Sequence, residues 1–254
     1  MTAQGTLWGA RALAWGRTED QQLETYREAL RRVPLAAGAS VLDVGCGTGA
    51  FLRLAHDRGA RVSGLDASPE LLALARERVP AADLRVGDME ALPYDDDAFD
   101  AVFGFNAFFF ARDMTAALRE ARRVARSGAP VVIQVWGNPE WCDLTRMKDA
   151  VFALAPGGDS PPPPPLWSPG VLEQIASAAG LTPGDAFDLE YAFHYAGEAE
   201  LVELLLAPAP VGAAVRAAGE DAVRDAILTS LQPLRRPDGS FRLRNQWRYL
   251  VAYA

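Results

Sequence analysis

Lysine is almost absent from this 254-residue chain: Lys148 stands alone against 24 arginines, and acids outnumber bases 33 to 25, for a net charge of −8. No Lys/Arg-rich run occurs, so the electrostatic footprint of proteins that grip phosphate backbones is missing, and nucleic acid is not expected as a substrate. Cysteine is equally scarce. Cys46 and Cys142 are far apart, which by number and spacing gives neither a disulfide framework nor a zinc site and points to a reducing cytoplasm. Only two histidines, His56 and His194, could serve as imidazole bases. The opening MTAQGTLWGARALAWG has no basic region followed by an unbroken apolar core, nor a run of about 18 apolar residues, so neither export nor membrane anchoring is expected. What the chain does have is apolar mass: at 50% hydrophobic residues it can bury the core of one large α/β domain or two small ones.

The most informative stretch is Val41–Phe51, VLDVGCGTGAF. Val41, Leu42 and Val44 form an apolar, β-branched run suited to a strand buried on both faces; Gly45, Gly47 and Gly49 interrupt it, and helical composition follows from Ala50. Strand, glycine turn and helix in this order make a ligand cradle, because glycine tolerates positive φ and lets a ligand approach the backbone. A dinucleotide is one possible occupant: Gly45-x-Gly47-x-x-Ala50 fits the permissive phosphate-binding pattern, with Asp66 about 20 residues on. Asp43 weighs against it, since a carboxylate beside the first glycine repels a pyrophosphate and suits an ammonium group instead.

With Asp43 included, the stretch resembles the first motif of the class I S-adenosylmethionine-dependent methyltransferases, V-L-D-x-G-C-G-x-G, matched here at every written position. The resemblance covers residues 38–136 well and the remainder weakly. It implies that the backbone from Gly45 through Cys46 and Gly47 to Gly49 receives the methionine end of S-adenosylmethionine, that Asp43 attracts its amino group, and that S-adenosylhomocysteine is the product. Asp66 ends a second short strand, followed by Ala67, and matches the family position that accepts both ribose hydroxyls. Asp88 and Met89 follow a third strand at Leu84–Gly87 and fit the positions that read and cover the adenine.

Further along, Phe99–Phe105 reads as a fourth strand opening into Asn106 and three phenylalanines. Base methyltransferases place Asn-Pro-Pro-aromatic here; the missing prolines argue against base methylation and leave Asn106 as a backbone or cofactor contact. Pro130–Trp136 is a fifth buried strand, Phe187–Phe193 a sixth and Trp247–Tyr253 a last one, which the resembled fold inserts antiparallel beside the fifth. Ser68-Pro69 and Asp113 read as helix starts, and Thr18-x-x-Gln21 as a capping box for a helix carrying Leu23, Tyr26 and Leu30. Pro161–Pro165 favours a stiff extended segment. The expected architecture is α/β: a Rossmann-like, doubly wound, seven-stranded sheet with its last strand antiparallel, plus helical lid insertions.

A single domain over 1–254 follows, with an N-terminal helical lid at 1–35, a cofactor-binding core at 38–136, and acceptor-site insertions at 137–167 and 197–235. The insertions are rich in Ala, Leu, Pro and Trp, predicting an apolar pocket with Trp15, Phe109, Trp136 and Tyr195 as wall residues. His194, where the sixth strand gives way to the inserted helices, is the candidate general base, whereas His56 reads as structural. The layout is similar to the small-molecule branch that includes ubiquinone and menaquinone biosynthesis methyltransferases, implying methyl transfer to a quinone-like or natural-product acceptor by in-line displacement. An NAD(P)-dependent oxidoreductase and a non-catalytic S-adenosylmethionine-binding subunit are the alternatives. The remaining expectations are no metal, no nucleic acid or membrane partner, and a cytoplasmic monomer or homodimer.

Overall fold

A computed structural model describes residues 3–155 and 164–254. Strand β1 (Ser40–Val44) forms where the sequence is apolar on both faces. Val41 joins one hydrophobic core while Leu42 and Val44 join the other, each with no exposed surface. Around it, β2 (Arg61–Asp66), β3 (Asp83–Val86), β4 (Ala101–Phe105) and β5 (Pro130–Trp136) pair in parallel. β7 (Phe241–Tyr253) runs antiparallel to β5, and β6 (Thr182–Tyr195) pairs antiparallel with β7 on the outside, giving the order β3-β2-β1-β4-β5-β7-β6. The order reverses between β1 and β4, so the crevice for a ligand opens at the carboxyl ends of these two strands.

The crossover helices begin where capping chemistry allows. Ser68 accepts from the amide of Leu71 at 3.2 Å to start α5 (Pro69–Arg78), and Asp113 accepts from Thr115 and Ala116 at 2.8 and 3.2 Å to start α6 (Met114–Val124). α4 (Ala50–His56) follows the glycine turn, and α8 (Val171–Ala178) follows a left-handed Gly170 and is closed by Gly180 at φ +85°.

Two regions differ from the sequence expectation. The N-terminal segment folds as α1 (Ala3–Gly9), α2 (Ala12–Asp20) and α3 (Leu23–Arg32). Thr18 is no cap: it lies inside α2, where its hydroxyl donates to the carbonyls of Ala14 and Leu204 at 3.2 and 3.3 Å, and α3 starts after Gln22 without a side-chain cap. Tertiary contact with α9 (Glu198–Leu205) has taken the hydroxyl that the local pattern assigned to capping. The last two strands are also longer than their apolar stretches suggest, because β6 and β7 continue as a two-stranded ribbon beyond the pair Trp136–Trp247, from Glu190–Gln246 to Tyr195–Phe241. Pairing with each other, not burial alone, carries them onward.

Against this ribbon pack α7 (Leu144–Phe152) and α9, and on these helices pack α10 (Ala209–Ala218) and α11 (Glu220–Leu231). Their buried Met147, Val151, Leu201, Leu204, Val211, Val223 and Ile227 belong to the same core as Val41 and Trp247, so the helical layer is continuous with the sheet. Most of the proline run expected to be extended, Pro161–Pro163, lies outside the described residues. Among the described residues no single helix is long and apolar enough to cross a membrane.

Candidate active site

The turn after β1 is left-handed at alternate positions, with φ of +76°, +53° and +80° at Gly45, Gly47 and Gly49. The amides of Gly45 and Cys46 both donate to the carbonyl of Leu65, at 2.7 and 3.0 Å, which ties the turn to the end of β2. Beneath it, a Cβ on Gly45 would lie 2.6 Å from the Cβ of Ala107, so the crevice floor is pressed against the end of β4. Cys46 points down: it is buried beside Gly64, and burial pushes its thiol well above the usual range, so it packs as a small apolar group.

Acidic and acceptor groups gather around this turn. Asp43 is buried, and its Oδ1 has no hydrogen-bond partner. Burial, then the charges of Glu19 and Asp66, push its carboxyl well above the ordinary range. Asn106, held at φ +50° at the end of the neighbouring β4, has a second buried oxygen without a partner, while its Nδ2 donates to Gln22 Oε1 at 3.4 Å. Two unsatisfied acceptors at adjacent strand ends fit a ligand that brings several donors and positive charge, as an ammonium group does. Asp66 accepts from the amides of Gly47 and Ser68 at 2.9 and 2.8 Å, and burial raises its carboxyl as well. Asp88 is less enclosed: it accepts from the amide of Glu90 at 2.9 Å, and Met89 packs against the core beside it.

The sequence reading did not single out Glu19. In Thr18-Glu19-Asp20 it looks like a solvated acidic pair, yet it is 4% exposed and reaches the glycine turn. Its Oε2 accepts from the Thr48 amide at 2.8 Å and the Thr48 hydroxyl at 2.6 Å, and Oε1 accepts from the Ala50 amide at 3.2 Å. Burial outweighs these bonds and pushes the carboxyl up to about 7. Only the tertiary placement of α2 reveals this; the nearest sequence signal is the run of small residues, Gly5, Gly9 and Gly16. A Cβ on Gly5 would collide with the Ala67 carbonyl and one on Gly9 with Glu70, while Gly16 lies against Thr48. These glycines let α1 and α2 lie directly on the loops after β1 and β2.

The candidate wall residues separate into groups. Trp15 joins the crevice, its Nε1 3.2 Å from the position of a Cβ on Gly47, and it packs edge-on against Trp8 at 4.6 Å. Trp8 in turn meets Phe110, at 5.4 Å, and Phe109 lies 4.5 Å from Phe110. Trp136 stacks on Trp247 at 5.5 Å, away from this aromatic group. Tyr195 is buried in the shared core with its hydroxyl unpartnered. His194 is exposed at the rim of a cleft of about 270 Å³ between α2, β6 and α9; its amide donates to Gln21 Oε1 at 2.9 Å. Across that cleft Arg17 is paired with Glu200 and Glu203 at 2.6 and 2.8 Å. Among the described residues no group of three or more His, Cys, Asp or Glu side chains is arranged to hold a metal ion.

The family described as "Methyltransferase domain" matches residues 42–133. A malonyl-[acyl-carrier protein] O-methyltransferase of Erwinia pyrifoliae is 31% identical over 182 residues, 71% of this chain and 66% of the relative. A trans-aconitate 2-methyltransferase of Paracidovorax citrulli is 42% identical over 147 residues, 57% of this chain and 56% of the relative. The first of the curated relatives are matched over 32% to 66% of their own length. Among solved structures, a candidate methyltransferase of Bacillus halodurans superposes with a TM-score of 0.62 at 14% identity, over 90% of this chain and 97% of that one, a likeness of fold.

Proposed function

We propose that this chain is a class I S-adenosylmethionine-dependent methyltransferase, a reading supported by its match to the "Methyltransferase domain" family and by relatives named as methyltransferases, and that it transfers a methyl group to a small apolar or aromatic acceptor. The observation that carries the proposal is the pair of buried, unpartnered oxygens of Asp43 and Asn106 at the switch point, beneath an aromatic group formed by Trp8, Trp15 and Phe110. The cofactor supplies a methyl group already activated by a sulfonium charge, so the protein's task is alignment and exclusion of water. In this reading Asp43, Asn106 and the Gly45–Gly49 backbone hold the methionine end, Asp66 the ribose, and Asp88 with Met89 the adenine. The helices α1 and α2 roof the crevice, and Trp15 and Phe109 face the acceptor.

A second acceptor class is favoured by the names of the relatives, since malonyl and trans-aconitate groups are carboxylic acids. The two classes make different demands on His194. An ionised carboxylate needs no base, whereas a phenol or an acidic carbon must lose a proton, for which general-base help is typically worth about 100-fold or more. His194→Gln therefore lowers kcat for a hydroxyl acceptor and leaves a carboxylate acceptor untouched.

The test is calorimetric titration of the purified chain with S-adenosylmethionine, S-adenosylhomocysteine and NAD(P)H, followed by an acceptor panel of phenols, quinols, trans-aconitate and a malonyl thioester. Binding of the first two ligands, weakened about 100-fold or more by Asp66→Ala through loss of hydrogen bonds to a charged acceptor, is expected. Binding of NAD(P)H alone overturns the proposal, and turnover of the acids alone replaces the acceptor assignment.

A further inference from the structure

The roof of the crevice contributes more than cover. Glu19 is the third carboxylate at the glycine turn, after Asp43 and Asp66, and like Asp66 it reaches Gly47: its Oε2 lies 2.9 Å from the position of a Cβ there. Asp43, 3% exposed, adds an oxygen with no partner. The groups facing Glu19 come from every neighbouring element. They are Thr48 and Ala50 at the turn, Asp43 on β1, Asp66 on β2, Tyr26 on α3 and Arg78 on α5. Among the described residues Arg78 is the cation whose charge acts on Glu19, and it is already paired with Asp20 at 3.0 Å. Arg17, on the same helix as Glu19, is likewise committed to Glu200 and Glu203. The protein has thus buried a carboxylate cluster and provided little positive charge to balance it, an arrangement that is costly unless a bound cation supplies the balance.

We infer that Glu19 is a specificity residue of the cofactor site, favouring the cationic methyl donor over its uncharged-sulfur product. This rests on the methyl-transfer reading above. Transfer breaks the S–CH3 bond, leaves its electron pair on sulfur and joins the methyl group to a lone pair of the acceptor, so a sulfonium becomes a neutral thioether. The ammonium of the methionine end stays in both ligands, but the sulfonium charge is lost at that moment, which removes part of the positive charge facing a carboxylate buried at the cofactor turn and weakens product binding relative to substrate. Because burial holds Glu19 near the point of half-ionisation, at about 7, binding of the cation also draws a proton off it. Affinity for the sulfonium then rises as pH rises through 7 and levels off above it.

The experiment is calorimetric titration of the full chain at pH 6, 7 and 8 with S-adenosylmethionine and S-adenosylhomocysteine separately, on the wild type, Glu19→Gln and Thr48→Ala. Glutamine retains an acceptor oxygen for the turn and removes the charge; Thr48→Ala removes a bond to the carboxylate and retains the charge. In the wild type, donor affinity rises about tenfold from pH 6 to pH 8, as expected for one linked proton, with a flatter profile for the product. Glu19→Gln abolishes that slope and lowers the donor-to-product preference about tenfold, whereas Thr48→Ala weakens both ligands in parallel and keeps the preference. Glu19→Gln weakening both ligands equally, with the slope intact, overturns the inference and leaves Glu19 as a pin for the N-terminal helices. A wild type that binds neither ligand overturns the underlying methyl-transfer reading, and this inference with it.

Discussion

In the crevice floor Gly45 lies against the methyl group of Ala107, and this contact yields a quantitative test of the fold. A Cβ built on Gly45 lies 2.6 Å from Ala107 Cβ but 3.7 Å from Ala107 Cα, so the collision is with a single methyl group. Gly45→Ala therefore carries two separable penalties. The left-handed backbone at φ +76° costs an L-residue about 1–2 kcal/mol. The overpacked contact, which forces a shift of roughly an ångström in a rigid strand end, costs about 1–3 kcal/mol. Together they remove about 2–5 kcal/mol, which in a domain of this size lowers Tm by roughly 5–15 °C.

Ala107→Gly deletes the methyl group that Gly45→Ala strikes, so the double variant recovers the steric share and retains the backbone strain. In a double-mutant cycle measured by urea denaturation, the expected coupling energy is about 1–3 kcal/mol, in the direction of rescue. Ala107→Gly alone costs about 0.5–1 kcal/mol through added unfolded-state entropy, which the cycle cancels. A coupling within about 0.5 kcal/mol of zero, the range of non-interacting sites, refutes the placement of β4 against the turn.

Three further outcomes follow from the same contacts. The Glu19 carboxyl is raised by burial to about 7, above its unfolded value, so its contribution to stability is present at low pH and lost as pH rises through 7. The ligand-free chain should thus gain about 2 kcal/mol from this group between pH 7.5 and 5.5, and Glu19→Gln should remove that share of the Tm change. Gly64→Ala would set a Cβ 2.7 Å from Cys46 Sγ and 2.8 and 2.9 Å from Leu52 and Leu84 methyl groups, and should cost about 1–3 kcal/mol in urea denaturation. Tyr249→Phe removes a hydroxyl that donates to the Thr25 carbonyl at 3.0 Å and accepts from Gln134 Nε2 at 2.5 Å. It removes a buried hydrogen bond, at about 0.5–1.5 kcal/mol, and an unchanged Tm would mean that water replaces the bond.

The parts of this molecule that could be read from sequence are those whose constraint is local. β1 and β5 are buried on both faces, so their residues are mostly apolar, with Asp43 and Gln134 as buried polar exceptions, and the expected Pro130–Trp136 strand is the observed one. Ser68 and Asp113 cap helices because an oxygen at the right offset suffices. Where the partner is distant in sequence, the pattern misleads: Thr18 has the spacing of a capping box, yet it bonds Leu204, 186 residues away. The Phe187–Phe193 part of β6 was legible, but the first half of β7 was not: Phe241-Arg242-Leu243-Arg244 alternates apolar and polar over only four residues, and pairing with β6 is what holds it as strand.

The candidate site divides along the same line. Residues of the glycine turn were legible because backbone geometry itself demands glycine there, and Asp43 because charge beside that turn selects among ligands. Glu19 was not, since nothing within reach in the sequence distinguishes a solvated acid from one folded back onto a turn 29 residues on. This difference bears on what each half of the molecule can determine. The sheet is shared with a structure at 14% identity, so it fixes a fold and little else. The N-terminal helices are joined to the inserted ones by contacts between segments distant in sequence: Arg11 to Glu220 at 2.6 Å, Arg17 to Glu200 and Thr18 to Leu204. Exposed ion pairs of this kind hold little energy each, typically under about 1 kcal/mol. A roof fastened by them on one side and by the buried Glu19 on the other should open along its outer edge first, with Glu19 as the last contact with the turn to release. Hydrogen exchange measured on the ligand-free chain should therefore protect the amides of Thr48 and Ala50 longer than those of α1, and equal exchange at the two places would contradict that order of opening.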